Sequence, residues 1–222
     1  MAAGNDALRK ENGMNIRDKM AEHNIKLLRN NPYPGRGLIL GRIGNDFLVQ
    51  VYWIMGRSEN SRNRVFTRDE NGRVFTEAAD STKVKDPSLI LYNVMKEKRG
   101  VFVASNGHQT DAFSESLGAM SIEGELASYT YEPDAPNFTP RITGVWHLSS
   151  RVANISILRK SIWGEACDRC HYRYDHIEPG FGFGITTYSG EGDPLPSFLG
   201  DPILFPLTPG ICELTDMYWN AL

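Results

Sequence analysis

The chain has 222 residues, 41% of them hydrophobic and 23% charged, with a net charge of -3. That is long enough to bury a real core and ordinary for a globular protein. A pI near 6.0 leaves no positive surplus for a broad nucleic-acid surface, and no apolar run approaches the about 20 residues of a membrane span.

The first residues, MAAGNDALRKENGMNIRDKM, lack the apolar stretch of a signal peptide, and three cysteines do not make a disulfide framework. A reduced, cytoplasmic protein is the expectation. Residues 1–13 are polar and patternless, as a disordered leader or a remnant of cloning would be. Asn15 to Asn30 fits a helix, with Ile16, Met20, His23 and Leu27 along one face and Asn30-Asn31-Pro32 as its stop. Residues 1–30 therefore read as an N-terminal extension carrying a helix, and 31–222 as one domain.

After the turn PYPGRG (32–37) the pattern becomes β. LILG (38–41) predicts a strand, Gly44-Asn45-Asp46 a hairpin connection, and FLVQVYWIM (47–55) the returning strand. Both faces of that strand are mostly apolar, which predicts cover on both sides and a layered architecture. Further strands are expected at 73–76, 100–105, 141–148, 152–158 and 181–188, and helices at 88–98, 110–120 and 211–220. No repeat or linker interrupts them. The fold class is α+β.

The stretch MGRSENSRNRVFTR (55–68) holds Arg57, Arg62, Arg64 and Arg68 against a single acid, Glu59. It reads as a solvated hairpin tip or as an anion site. Ser58, Asn60, Ser61 and Asn63 between the arginines suit phosphate oxygens and ribose hydroxyls, and the arginine fork makes paired bonds that lysine cannot.

VFVASNGHQTDAFSESL (101–117) reads as strand, Asn-Gly turn and helix, with Thr110 or Asp111 as N-cap. It is an ordinary connection or a ligand loop in which Asn106 and Gln109 read an amide or purine edge. His108, as a lone loop histidine, does not specify a base. CDRCH (167–171) matches a haem-attachment pattern without the export that chemistry needs. As a zinc site it is half a set, with His171 and His176 as awkward completions, so no metal is assigned. GFGFG (180–184) has the wrong spacing for a dinucleotide fingerprint.

Four segments, YPGRGLILG (33–41), GRSENSRNR (56–64), ILYNVM through VASNGHQTD (90–111) and FTPRI (138–142), resemble the archaeal-type IMP cyclohydrolase family in order and spacing. The resemblance covers roughly residues 33–148 well and the C-terminal third loosely. It implies a four-layer αββα sandwich of the N-terminal-nucleophile hydrolase type, without use of an N-terminal nucleophile. It also implies closure of 5-formamidoimidazole-4-carboxamide ribotide to IMP in purine synthesis, with no cofactor and a small purine ribonucleotide as partner. A nucleic-acid or membrane partner is not implied, and a homo-oligomer is left open.

The roles that follow are these. Arg57, with Asn63 or Arg64, holds the phosphate or the developing oxyanion, and Arg36 and Arg141 flank the site. Tyr92 serves the formyl group, while Asn93, Asn106, Gly107 and Gln109 fix the substrate. Thr110 and Asp111 hold the loop and, as substrate-binding residues, touch the ribose. The carboxylate that the family carries near Thr-Pro-Arg has no direct counterpart in YEPDAPNFTPRI, which leaves Glu132, Asp134 or a group from elsewhere in the chain as candidates. The rival readings are a non-catalytic purine-nucleotide binder and an amide hydrolase of the same fold, which would need a processed N-terminus.

Overall fold

A computed structural model of the chain describes residues 15–84, 87, 91–116 and 121–222. Helix α1 (Ile16–Arg29) is started by a capping box: Asn15 accepts from the Arg17 and Asp18 amides, and Asp18 accepts from the Asn15 amide. Its buried face is Ala21, Ile25 and Leu28, not the expected one; Ile16, Met20 and Leu27 are 71%, 51% and 52% exposed. Both sets recur at helical spacing. Asn24 donates to the Leu204 carbonyl at 2.8 Å, a bond made with the Ala21 face toward the sheet.

Strands β1 (Arg36–Ile43) and β2 (Phe47–Ile54) form the predicted hairpin. Helix α2 (Glu59–Arg62) follows, then β3 (Val65–Arg68), β4 (Val74–Glu77), β5 (Asn93–Lys98) and β6 (Val101–Ser105). Helices α3 (Gln109–Ser116) and α4 (Ile122–Glu125) lead to β7 (Arg141–His147), β8 (Val152–Lys160) and β9 (Cys167–Tyr174). The chain closes with β10 (Phe181–Thr186), β11 (Ile203–Pro206) and α5 (Ile211–Trp219).

Two sheets result, ordered β11-β10-β1-β2 and β3 through β9 in sequence. The helix expected at 88–98 is instead strand β5 over Asn93–Lys98; residues 88–90 lie outside the described residues. Cross-strand pairing with β6, through a turn at Arg99-Gly100, wins over the helical look of MKEK. Strands β3, β9 and β11 are not among the expected ones, and β9 opens on the CDRCH run.

Three apolar clusters order the elements. Ile25 and Leu28 of α1 and Leu214 and Tyr218 of α5 pack on Ile39, Trp53 and Phe205, the outer face of the smaller sheet. Leu38, Leu40 and Ile185 meet Ile142, Trp146, Ile155 and Ile157 between the sheets. Phe113, Ile122 and Leu126 cover Val103, Val145 and Leu158 on the far side. The order is helices, sheet, sheet, helices. Strand β2 touches both flanking clusters but lies at a sheet edge, so most of it is half-buried and Phe47 is 69% exposed. Gly37 faces the Trp53 ring so closely that a Cβ there would sit 2.0 Å from it. Among the described residues, no helix is long and apolar enough to cross a membrane.

Candidate active site

The ends of β1 and β2, the α2 loop and two later loops enclose a cavity of about 230 Å³. Arg36 opens β1, and its backbone is pinned to Thr187 by bonds of 3.1 and 2.8 Å just past β10. Arg64 leaves α2 with its Nε donating to the Ser61 carbonyl at 2.9 Å. Both side chains line the cavity. Arg36 Nε and Arg64 Nη1 are buried without a hydrogen-bond partner among the described residues.

Burial and the neighbouring Arg36 charge both push the Arg64 pKa down. Arg36 is itself penalised by burial. The Glu132 carboxylate, with the phenols of Tyr92, Tyr52 and Tyr188, more than offsets that and holds its pKa above the usual range. Two like charges held together with unused N–H groups have the donors and the charge that an anion would need.

The other loop arginines separate by role. Arg57 lines the cavity, donates to the Gly192 carbonyl at 2.9 Å and lies 6.0 Å over the Tyr33 ring. Arg62 braces its own loop through the Gly56 carbonyl at 2.8 Å, and Arg68 is exposed on β3. Ser58 and Ser61 cap α2 reciprocally, which shapes the wall that both contribute. Asn63 is turned away: its amide makes two bonds of 2.7 Å with the Asp80 backbone.

The segment before β7 supplies the carboxylates. Glu132 is 5% exposed and lines the cavity, its amide bonded to the Thr139 carbonyl at 2.8 Å. Burial raises its pKa against the opposing pull of Arg36 and Arg141. Arg141 Nη1 lies 3.7 Å from Glu132 Oε1 and donates to Gln109 Oε1 at 3.1 Å. Asp134 also lines the cavity, and accepts from the Thr139 amide at 2.6 Å and from the Thr139 hydroxyl.

The Asn-Gly turn lies behind this wall. Asn106 donates to the Pro140 carbonyl and accepts from the Ile142 amide, both at 2.8 Å, and also accepts from Gln109. Thr110 lies in the first turn of α3 rather than before it, and its hydroxyl meets that of Ser105 at 2.5 Å. Asp111 accepts from Asn93 at 2.7 Å and Lys96 at 2.9 Å. Asn93, Asn106, Thr110 and Asp111 thus hold the loop and are not on the cavity wall. Gly107 gives Arg141 the space to reach Gln109. His108 is exposed.

Tyr92 sits deeper still, with its hydroxyl 2.9 Å from that of Tyr52. Burial, then the Tyr92 neighbour, lifts the Tyr52 pKa well above the phenol range. Tyr52 escaped the sequence reading, as did the cavity-lining Tyr33, Asn137, Thr139, Tyr188 and Leu195. The only signal for the last two was the turn-rich SGEGDP (189–194) that separates them. Cys167 and Cys170 pack against different clusters, on opposite faces of β9. Among the described residues no group of three or more His, Cys, Asp or Glu could hold a metal ion.

A family model described as IMP cyclohydrolase-like protein matches residues 33–220, which takes in the loops and strands that build the cavity and the C-terminal third as well. No curated protein matches the chain. With most of its length under that one model, the chain belongs to the IMP cyclohydrolase-like family.

Proposed function

We propose that this chain is an IMP cyclohydrolase with an N-terminal-nucleophile hydrolase type of sandwich, closing 5-formamidoimidazole-4-carboxamide ribotide to IMP with loss of water. The observation that carries the reading is the pair of buried, unsatisfied guanidinium nitrogens of Arg36 and Arg64 in one cavity with the buried Glu132. The substrate has a phosphate, and its formyl oxygen becomes anionic as the carboxamide nitrogen attacks. Both events call for oriented cationic donors, and one such donor to an oxyanion is worth about 3–4 kcal/mol.

Nucleophile and electrophile belong to one molecule, so the enzyme's first task is to hold the rotamer that brings them together. The aromatic and apolar part of the wall, Tyr33, Met55, Tyr188 and Leu195, suits the flat imidazole. Glu132, whose pKa burial raises, is suited to hand a proton to the carbinolamine oxygen and recover it.

The test is cyclisation followed by the ultraviolet absorbance of IMP, with Arg57→Ala as control. Turnover by wild type and loss in the variant are expected. No turnover, with IMP still raising the melting temperature, would mean a nucleotide-binding protein instead.

A further inference from the structure

Tyr188, Thr139 and Asp134 form a hydrogen-bonded chain that runs from the cavity into the loop behind it. The Tyr188 and Thr139 hydroxyl oxygens are 2.5 Å apart, and the Thr139 hydroxyl donates to Asp134 Oδ2. All three residues line the cavity, and Tyr188 and Thr139 are 4% and 1% exposed.

A hydroxyl carries one hydrogen, and an ionised carboxylate only accepts. Thr139 spends its hydrogen on Asp134, so Tyr188 must donate to Thr139. What Tyr188 then offers the cavity is a lone pair. It presents itself to a ligand as an acceptor, in a wall otherwise rich in arginine donors. Its ring is fixed by stacking on Tyr33 with centroids 5.8 Å apart, and its amide bonds the Pro34 carbonyl at 3.2 Å.

We propose that this chain is a proton relay, and that Tyr188 is the catalytic residue that accepts the carboxamide N–H proton as that nitrogen attacks the formyl carbon. The inference rests on the cyclohydrolase reading and adds to it the base side of the reaction. In the step, the carboxamide N–H bond breaks and its proton goes to Tyr188 Oη. The proton of Tyr188 passes to Thr139 Oγ1, and that of Thr139 to Asp134 Oδ2, which ends protonated. The C–N bond forms and the formyl π pair moves onto oxygen. The proton then returns along the same chain to that oxygen. The hydroxyl so formed leaves as water with a second hydrogen from the formamido N–H. Burial pushes the Tyr188 pKa up to about 12, so its phenol stays neutral and passes a proton rather than standing as a phenolate.

The experiment compares steady-state cyclisation by wild type, Tyr188→Phe, Asp134→Asn, the double variant, Thr139→Ser and Thr139→Val, with the melting temperature of each as the check on folding. Tyr188→Phe keeps the stacked ring and should lower kcat by about 100-fold or more, with KM changed by no more than about threefold. Asp134→Asn replaces an acceptor by an amide that donates to Thr139, which reverses the chain, and should lower kcat similarly. The double variant should be no worse than Tyr188→Phe alone, because both changes break one relay. Thr139→Ser should keep activity and Thr139→Val lose it. A folded Tyr188→Phe with kcat near wild type, or independent and multiplying losses in the double variant, would overturn the relay and leave the cyclohydrolase reading standing. A wild type that does not cyclise overturns both.

Discussion

The hydroxyl of Tyr52, on β2 of the smaller sheet, meets the hydroxyl of Tyr92, just before β5 of the larger one, at 2.9 Å. It is a polar bridge between the two layers, close enough to Arg36 and Arg64 to perturb both. One phenol must donate to the other, which leaves a single hydrogen to share with the site. Tyr92→Phe is expected to slow turnover by about 10-fold or more while changing nucleotide affinity little. Equal losses in kcat and affinity would make Tyr92 a binding residue only, and kinetics beside isothermal titration with IMP would separate the two.

Arg36 and Arg64 repel each other when the cavity holds no anion. Arg64→Met should therefore remove a cost as well as a function. An unsatisfied buried donor costs about 1–3 kcal/mol, and 1 kcal/mol moves the melting temperature of a chain this size by about 2–4 °C. The ligand-free variant should melt a few degrees above wild type. Inorganic phosphate should raise the melting temperature of wild type, by the linkage of binding to folding, and leave the variant unmoved. An undiminished phosphate shift in Arg64→Met would place the anion elsewhere.

What the sequence disclosed and what it hid have physical causes. FLVQVYWIM announced a strand with apolar residues on both faces, and β2 does touch both flanking clusters. The arginine loop announced local positive charge, but not which guanidiniums turn inward. Arg62 is drawn off by the Gly56 carbonyl, whereas Arg64 gives its Nε to the Ser61 carbonyl and keeps Nη1 buried without a partner among the described residues. The inward face of α1 depends on what it packs against, the Ile39, Trp53 and Phe205 side of the sheet, and on a bond from Asn24 to a strand far along the chain. Tyr188 was unreadable because its partner Thr139 is 49 residues distant. Asn106 in its strand-turn-helix setting fits an ordinary connection or a ligand loop. Two of its three side-chain bonds, to the Pro140 carbonyl and the Ile142 amide, exist only once β7 lies alongside.

Away from the cavity, His147 and His171 line a second hollow, of about 260 Å³, with Glu123 and Arg173. Burial lowers the pKa of each; Arg173 adds to the effect on His147, and for His171 Glu123 opposes while Arg169 assists. A folded pKa below the ordinary 6.5 means that the unfolded chain binds more protons as the solution turns acid. Their contribution to stability is fully present above the ordinary value and is lost as pH falls through the lowered one. The melting temperature should therefore drop as the pH falls below the ordinary histidine value of about 6.5. His147→Gln and His171→Gln should flatten that drop, and a slope unchanged in both variants would assign the acid sensitivity to carboxylates.

Gly107 shows how the loop behind the cavity reaches the chemistry. A Cβ placed there would lie 2.6 Å from Arg141 Nη1, 2.8 Å from Gln109 Oε1 and 3.5 Å from Glu132 Oε1. The first two are the ends of flexible side chains, so the fold can absorb an added methyl by moving them. Moving them separates Arg141 from Gln109 and changes its 3.7 Å approach to Glu132. Glu132 then loses one of the three arginines, Arg36, Arg141 and Arg64, that counter the effect of burial on its pKa. Gly107→Ala should cost about 1 kcal/mol of stability, in the range of ordinary substitutions, yet lower kcat by about 10-fold or more. The pairing of a small melting shift with a large kinetic loss is the signature. A loss of stability large enough to explain the activity, or activity near wild type, would mean that Arg141 does not set the state of Glu132.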